Sequence, residues 1–170
     1  MDPRSHRSAN LITRRLDDGT RLRGGPPRQL YEYWRDKRGD RPFPRWDEIH
    51  LMDLWRIAPW LGVKDVIDGG NDFLNRYWGT EVAAASGFEG TGKTTTELYG
   101  GGSEASLINF RHVVATGEPV LAYRRATFVE GREHVTYEVV HLPLGPEGGP
   151  VTQIITVYDF DCDIDDILIG

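Results

Sequence analysis

Three runs of β-branched and aromatic residues crowd positions 120–160, and they constrain this chain more than anything else in it. Residues 120–129 (VLAYRRATFV), 134–142 (HVTYEVVHL) and 151–160 (VTQIITVYDF) each read as a strand. Glu130-Gly131-Arg132 marks the first break. Pro143, Gly145, Pro146, Gly148, Gly149 and Pro150 fill the second, so glycine and proline stand between the runs and not inside them. Connections this short force antiparallel neighbours. A three-stranded meander cannot bury its apolar face alone, so the residues before it must supply the cover.

Upstream, 61–67 (LGVKDVI) and 72–78 (DFLNRYW) read as two more strands, with Asp68-Gly69-Gly70-Asn71 as hairpin chemistry between them. Pro26-Pro27 opens a helix over 28–38, where a missing N–H costs nothing. Leu30, Tyr33, Trp34 and Lys37 then fall at i, i+3, i+4 and i+7 to make one apolar stripe with a lysine stem at its edge, and Gly39 closes the helix. Residues 41–45 (RPFPR) are extended, because a residue before proline is pushed out of the α region. Asp47 caps a turn through Ile49, and a short helix over 51–57 presents Leu51, Leu54 and Trp55 before Pro59 ends it. Thr80 caps a helix over 81–86 that Gly87 ends, 90–98 is loop or broken helix, and Ser103 caps a longer helix with Leu107, Phe110 and Val114 on one face. Gly117 and Pro119 stop it. The expected fold is α+β: a five-stranded antiparallel sheet with helices on one face and an N-terminal helical extension. The chain divides into a flexible basic arm over 1–25 with at most a helical turn or two at 9–16, the helical extension over 26–60, the core over 61–160, and an acidic tail over 161–170.

With 170 residues, 39% of them hydrophobic, one globular domain is expected. The single cysteine, Cys162, rules out an internal disulfide and a cysteine-based zinc site. No apolar run approaches the ~20 residues of a spanning helix, and the N-terminus lacks a signal-peptide core, so a cytoplasmic location is expected. A net charge of −6 argues against general nucleic-acid binding. The arginines at 4, 7, 14, 15, 21, 23 and 28, and the aspartates at 159, 161, 163, 165 and 166, read as solvated ends.

A set of residues adds a family likeness. Trp34, Gly39, Pro42-Phe43-Pro44, Ile49, Leu54, Pro59, Phe73, Arg76, Gly79-Thr80, Thr91-Gly92-Lys93, Leu98 and Leu142-Pro143-Leu144 are spaced as in the small stand-alone PAS-like proteins of alphaproteobacteria. Over about 30–160 the chain therefore resembles a PAS domain. It departs from that pattern at His50-Leu51-Met52-Asp53, where an Asp-Pro step is expected, and at the glycine run 100–102. The resemblance implies a sheet curved around a small cavity and a sensory or protein-interaction role, with a ligand that is generally not known for the family.

Several constellations compete with that reading. Gly87-Phe-Glu-Gly-Thr-Gly-Lys93-Thr94 is a formal match to a phosphate-cradling loop, with Lys93 for the outer phosphates and Thr94 for Mg²⁺. Its context fails. Such a loop leaves a buried strand, but 81–86 (EVAAAS) favours helix, and the glycines at 100–102 leave no room for a following helix. His112 lies on the long helix that carries the axial ligand in haem-binding relatives, but a lone helical histidine more often serves none. Cys162 lies beyond the last strand, out of place for photoreactive flavin chemistry. The acidic run 161–166 lacks the glycine and closing glutamate of a calcium loop. No catalytic set and no metal site emerges.

The remaining candidate is a cavity. Its lining is drawn from the long helix (Leu107, Phe110, Val114) and the strands (Trp78, Tyr123, Tyr137, Val139, Ile155, Val157). A dry core of the same residues fits equally. Tyr123 and Tyr137 share a parity with Arg125 and His141, so those strand faces could instead meet a dimer partner. The function expected is a non-enzymatic PAS-like signalling module with no output domain, binding a small ligand, a protein partner, or both. Homodimerisation would run through the helix bearing Tyr31, Tyr33 and Trp34. The alternatives are a nucleotide-binding enzyme using 87–94 and a ligand-free structural adaptor.

Overall fold

The computed structural model describes residues 10–17, 19, 20, 22, 24–100, 104–125 and 136–162. Its elements are β1 (Asn10–Arg15), α1 (Gly25–Arg38), β2 (Leu61–Ile67), β3 (Asp72–Trp78), α2 (Thr80–Ser86), α3 (Thr95–Tyr99), α4 (Glu104–Thr116), β4 (Val120–Arg125), β5 (Thr136–Leu144) and β6 (Gln153–Asp159). Three single-turn 3₁₀ segments bridge α1 and β2. The strands form one sheet in the order β1-β4-β5-β6-β2-β3, antiparallel at every pairing. The meander, the hairpin and their antiparallel association stand as the sequence implies. The turn expected at 130–132, the cap at Ser103 and most of the acidic tail lie outside the described residues.

The sheet has six strands where five are expected. The sixth is β1, in a segment read from sequence as a flexible arm with a helical turn. It adds to the outer edge of β4, with Ile12 opposite Tyr123 and Arg15 opposite Val120. Leu16 follows it into the core at 1% exposure, and the Leu16 N–H donates to Pro119 O at 3.0 Å. Thr13, Arg14 and Arg15 are exposed, so the strand is held by backbone pairing, by Ile12 half-buried against the core, and by Leu16.

Apolar cover lies on both faces. On one, α1 packs over β5 and β6, and its buried face is Pro27, Leu30, Tyr31 and Trp34. That stripe is one helical step away from the Leu30-Tyr33-Trp34-Lys37 stripe expected. Tyr33 sits at its edge, where the hydroxyl donates to Asp53 Oδ2 at 2.9 Å and accepts the His50 N–H at 3.0 Å. The 51–57 helix is a 3₁₀ turn at Leu51–Leu54, which buries Leu54 and leaves Met52 and Trp55 exposed. Trp34 is fully buried and its indole donates to Pro143 O at 2.8 Å. β5 runs on through Pro143, which pairs with Ile154 of β6 but lies past the first residue of β4, since Val120 pairs with His141.

The opposite face carries α2, α3 and α4. Gly87 caps α2 in the left-handed region at φ 86°. A reciprocal capping box starts α3: Thr94 Oγ1 accepts the Glu97 N–H at 3.1 Å, and the Thr94 N–H donates to Glu97 Oε2 at 2.7 Å. Between them, 87–94 covers the otherwise open edge of β3. Gly92 N–H donates to Asn75 O at 2.8 Å, and Asn75 N–H donates to Lys93 O at 3.0 Å.

Candidate functional site

Under α2, α3 and α4 the sheet does not close against the helices. A cavity of about 290 Å³ remains, walled by β2 to β6 and all three helices. Phe110, Trp78, Tyr137, Tyr158 and Phe160 give it aromatic sides, and Val82, Ala84 and Ala85 give it a small-residue wall on α2. Tyr158 and Phe160 stack with rings 5.7 Å apart, and Tyr137 tilts against both. Trp78 is held from behind: Phe88 stacks on it at 5.7 Å, and a Cβ at Gly90 would come within 2.8 Å of its ring. The glycine-rich segment therefore buttresses an aromatic wall.

The floor is polar and buried. Lys64 on β2 is 2% exposed and Arg124 on β4 is 4% exposed. The Lys64 ammonium lies 5.1 Å from the Phe110 ring centre and 5.4 Å from that of Trp78. Burial, with a smaller contribution from the Arg124 charge, pushes Lys64 down to about 7. Arg124 directs Nη1 and Nη2 at Ser106 Oγ on α4, each at 3.2 Å. Asn75 gives its side-chain N–H to Lys93 O at 2.9 Å, which leaves its carbonyl oxygen as the free end. Among the described residues, Lys64 Nζ, Asn75 Oδ1, Trp78 Nε1 and Arg124 Nε are buried without a hydrogen-bond partner. Buried polar atoms are normally satisfied, so four orphans on one cavity wall call for a reason.

His141 lies in the floor below the cavity. Nδ1 shares a 2.9 Å hydrogen bond with Thr156 Oγ1, and the ring meets Phe110 edge-on at 5.0 Å. Burial, then the charges of Arg124 and Lys64, hold it well below the ordinary histidine range, so it is neutral. Burial likewise raises the Tyr137 phenol.

Of the nine lining candidates named from sequence, Trp78, Phe110 and Tyr137 line the cavity. Leu107 and Val114 pack in the cluster between α4 and the sheet, with Phe73, Val120 and Ile154. Val139 lies on the cavity face, packed beneath Tyr137 and Ala122. Tyr123, Ile155 and Val157 belong to the opposite face, under α1. Tyr123 pairs with Glu138, and Tyr137 pairs with Arg124, so the two rings point to opposite faces. Tyr137 is buried at 1% and Tyr123 at 7%, so neither presents an open surface to a partner. The polar floor was missed altogether, although Lys64 shares its parity with Val66, and Arg124 with Ala122.

The phosphate-loop match has none of the geometry it needs. It follows a helix, pairs antiparallel with β3, exposes the Lys93 side chain, and feeds a helix of five residues. His112 is exposed on α4 and outside the cavity lining. Cys162 is partly buried against the α1-side core, with its carbonyl accepting from Thr136 Oγ1 at 2.6 Å. Among the described residues no group of three His, Cys, Asp or Glu side chains is placed to hold a metal, and no helix is long and apolar enough to cross a membrane.

The fold recurs in a solved structure. A solved RNA-binding light-oxygen-voltage receptor superposes with a TM-score of 0.52 at 18% identity, over 88% of this chain and 38% of the receptor. This chain thus spans well under half of that receptor, and the likeness is one of fold. No curated protein matches it. A family model for the PAS domain matches residues 23–158, which takes in α1, the hairpin, the helices and the meander. The chain belongs to the PAS domain family.

Proposed function

We propose that this PAS domain is a sensory module that takes a small molecule into the cavity between the sheet and α2, α3 and α4. The bound state is passed on by association with another protein surface, and no chemical step is involved. The observation that carries this reading is the pairing of a cavity of about 290 Å³ with four buried, unpartnered polar atoms on its wall. A filled structural core would leave neither, because close packing and hydrogen-bond satisfaction are the normal state of an interior. A ligand-free adaptor is disfavoured for the same reason.

For association, α1 is a poor candidate, since Tyr31 and Trp34 are buried and Tyr33 is occupied by Asp53 and His50. Met52 in the Leu51–Leu54 turn and Trp55 just after it, at 82% and 64% exposure, are the better one. Native mass spectrometry of gently purified protein tests ligand binding. A co-purifying small molecule released on denaturation is expected. A bare chain mass, together with no compound in a metabolite library raising the melting temperature, refutes the reading. Light scattering of the unaltered protein and of Trp55→Ser tests the association surface, with loss of self- or partner-association expected only in the variant.

A further inference from the structure

We infer that the cavity is built for a small organic monoanion: a carboxylate on a flat apolar body that also carries one hydrogen-bond donor. The inference rests on the reading above that the cavity takes a ligand at all, and it adds the ligand's chemistry.

The charge balance of the wall leads to it. Lys64 and Arg124 reach the cavity from different strands, and neither has a carboxylate partner among the described residues. Among the described residues the one carboxylate in the lining, Glu81, is exposed on α2 and pairs with neither. Buried cations are ordinarily paired, and a pair of them facing one space attracts an anion and repels a cation. Arg124 spends two N–H groups on the neutral Ser106 hydroxyl, which orients the guanidinium without neutralising it. Three of the four orphaned atoms, Lys64 Nζ, Arg124 Nε and Trp78 Nε1, are donors, which matches an acceptor-rich carboxylate. The fourth, Asn75 Oδ1, is an acceptor fixed by the bond from its amide to Lys93 O, which is the place for a ligand hydroxyl or N–H.

Shape sets the rest. The volume equals about ten water molecules at roughly 30 Å³ each, so the ligand has on the order of ten to fifteen non-hydrogen atoms. The remaining wall is Phe110, Tyr137, Tyr158, Phe160 and the face of Trp78, which suits a ring more than a phosphate ester or a flexible polyanion. Titration supplies an independent readout. With Lys64 near 7 in the free protein, an anion beside it restores its proton, so binding at pH 8 takes up a proton from solvent. The other charged or titratable groups around the site are Arg124 on β4, Tyr137 and His141 on β5, Tyr158 on β6, Tyr99 on α3 and Glu81 on α2.

The test is calorimetry and tryptophan fluorescence on the full chain with benzoate, para-hydroxybenzoate, phenylacetate and indole acetate. Each is compared with its neutral amide, and benzylamine serves as the cation. At least one carboxylate is expected to bind at least about tenfold more tightly than its amide, with benzylamine silent. Para-hydroxybenzoate is expected to exceed benzoate. Binding at pH 8 should show net proton uptake when repeated in buffers of different ionisation enthalpy. Arg124→Gln should weaken the carboxylate at least tenfold and leave the amide unchanged. If that variant does not fold, Lys64→Met carries the same comparison and must also abolish proton uptake. Amides binding as well as carboxylates, or a co-purified ligand that is neutral or cationic, overturns the anion inference and leaves the ligand reading standing. Silence across the panel and in the library screen overturns both.

Discussion

Replacing Lys64 by methionine should make the protein more stable at neutral pH, and the gain should vanish as the solution turns alkaline. Lys64 is 2% exposed, has no carboxylate partner among the described residues, and sits near 7 against 10.5 for a free lysine. Each pH unit of such a displacement is worth about 1.4 kcal/mol, so holding the ammonium charged in the fold costs roughly 4–5 kcal/mol below pH 7. The sign follows from proton counts. Below pH 7 both the folded and unfolded chains carry the proton, and the full cost is present. Between about 7 and 10.5 only the unfolded chain holds it, so stability rises with pH across that window and lies flat at its lowest level below 7. Methionine removes the desolvation cost, but it also forfeits ring contacts with Phe110 and Trp78 worth about 1–2 kcal/mol. The net expectation is a variant more stable by roughly 2–4 kcal/mol at pH 6.5, with a difference that shrinks by about 1 kcal/mol per unit up to pH 9.5. Urea unfolding of both proteins at matched pH measures this, and taking the difference cancels every other titrating group. A methionine variant less stable than its parent at pH 6.5, or a difference flat with pH, would refute the account of Lys64 as a desolvated, unpaired cation.

Other perturbations probe the frame that holds the site. Gly79→Ala should cost at least about 3 kcal/mol, because its Cβ would stand 2.2 Å from Pro59 O, a backbone atom that cannot swing aside; the midpoint of urea unfolding reads it. Trp34→Phe should cost roughly 2–4 kcal/mol with an unchanged m-value, since it strands the Pro143 carbonyl and underfills a fully buried position. Lys93→Ala should stay within about 0.5 kcal/mol of the parent and alter no nucleotide response. Its side chain is exposed, and it is the backbone of Lys93 that holds Asn75. Saturable ATP binding lost in that variant would revive the phosphate-loop reading.

The sequence carried the frame well where local chemistry alone decides it. The bounds of β2 and β3 follow from the hairpin Asp68-Gly69-Gly70-Asn71, whose first three residues all have positive φ. The ends of α1 and α2 follow from Gly39 and Gly87. β1 was not legible because its residues, NLITRR, bring little apolar pattern of their own. What fixes it is the free edge of β4, some 110 residues away along the chain.

The site was hidden for a related reason. Alternation identifies a buried face only when the other face meets water, and here both faces are covered. Leu121 and Tyr123 are buried under α1, while Ala122 and Arg124 are buried on the cavity side, so β4 is buried at five successive positions and reports no direction. In such a strand an apolar residue says nothing about which side it serves. A charged residue does, because burial is costly for it and chain entropy gives it no reason to stay inside. The residue pattern alone assigns no role to Lys64 in LGVKDVI or to Arg124 in VLAYRR. Once the sheet is known to be covered twice they become informative, and both point into the same space. The aromatic residues make that space possible, but the unpaired cations give it a chemical preference.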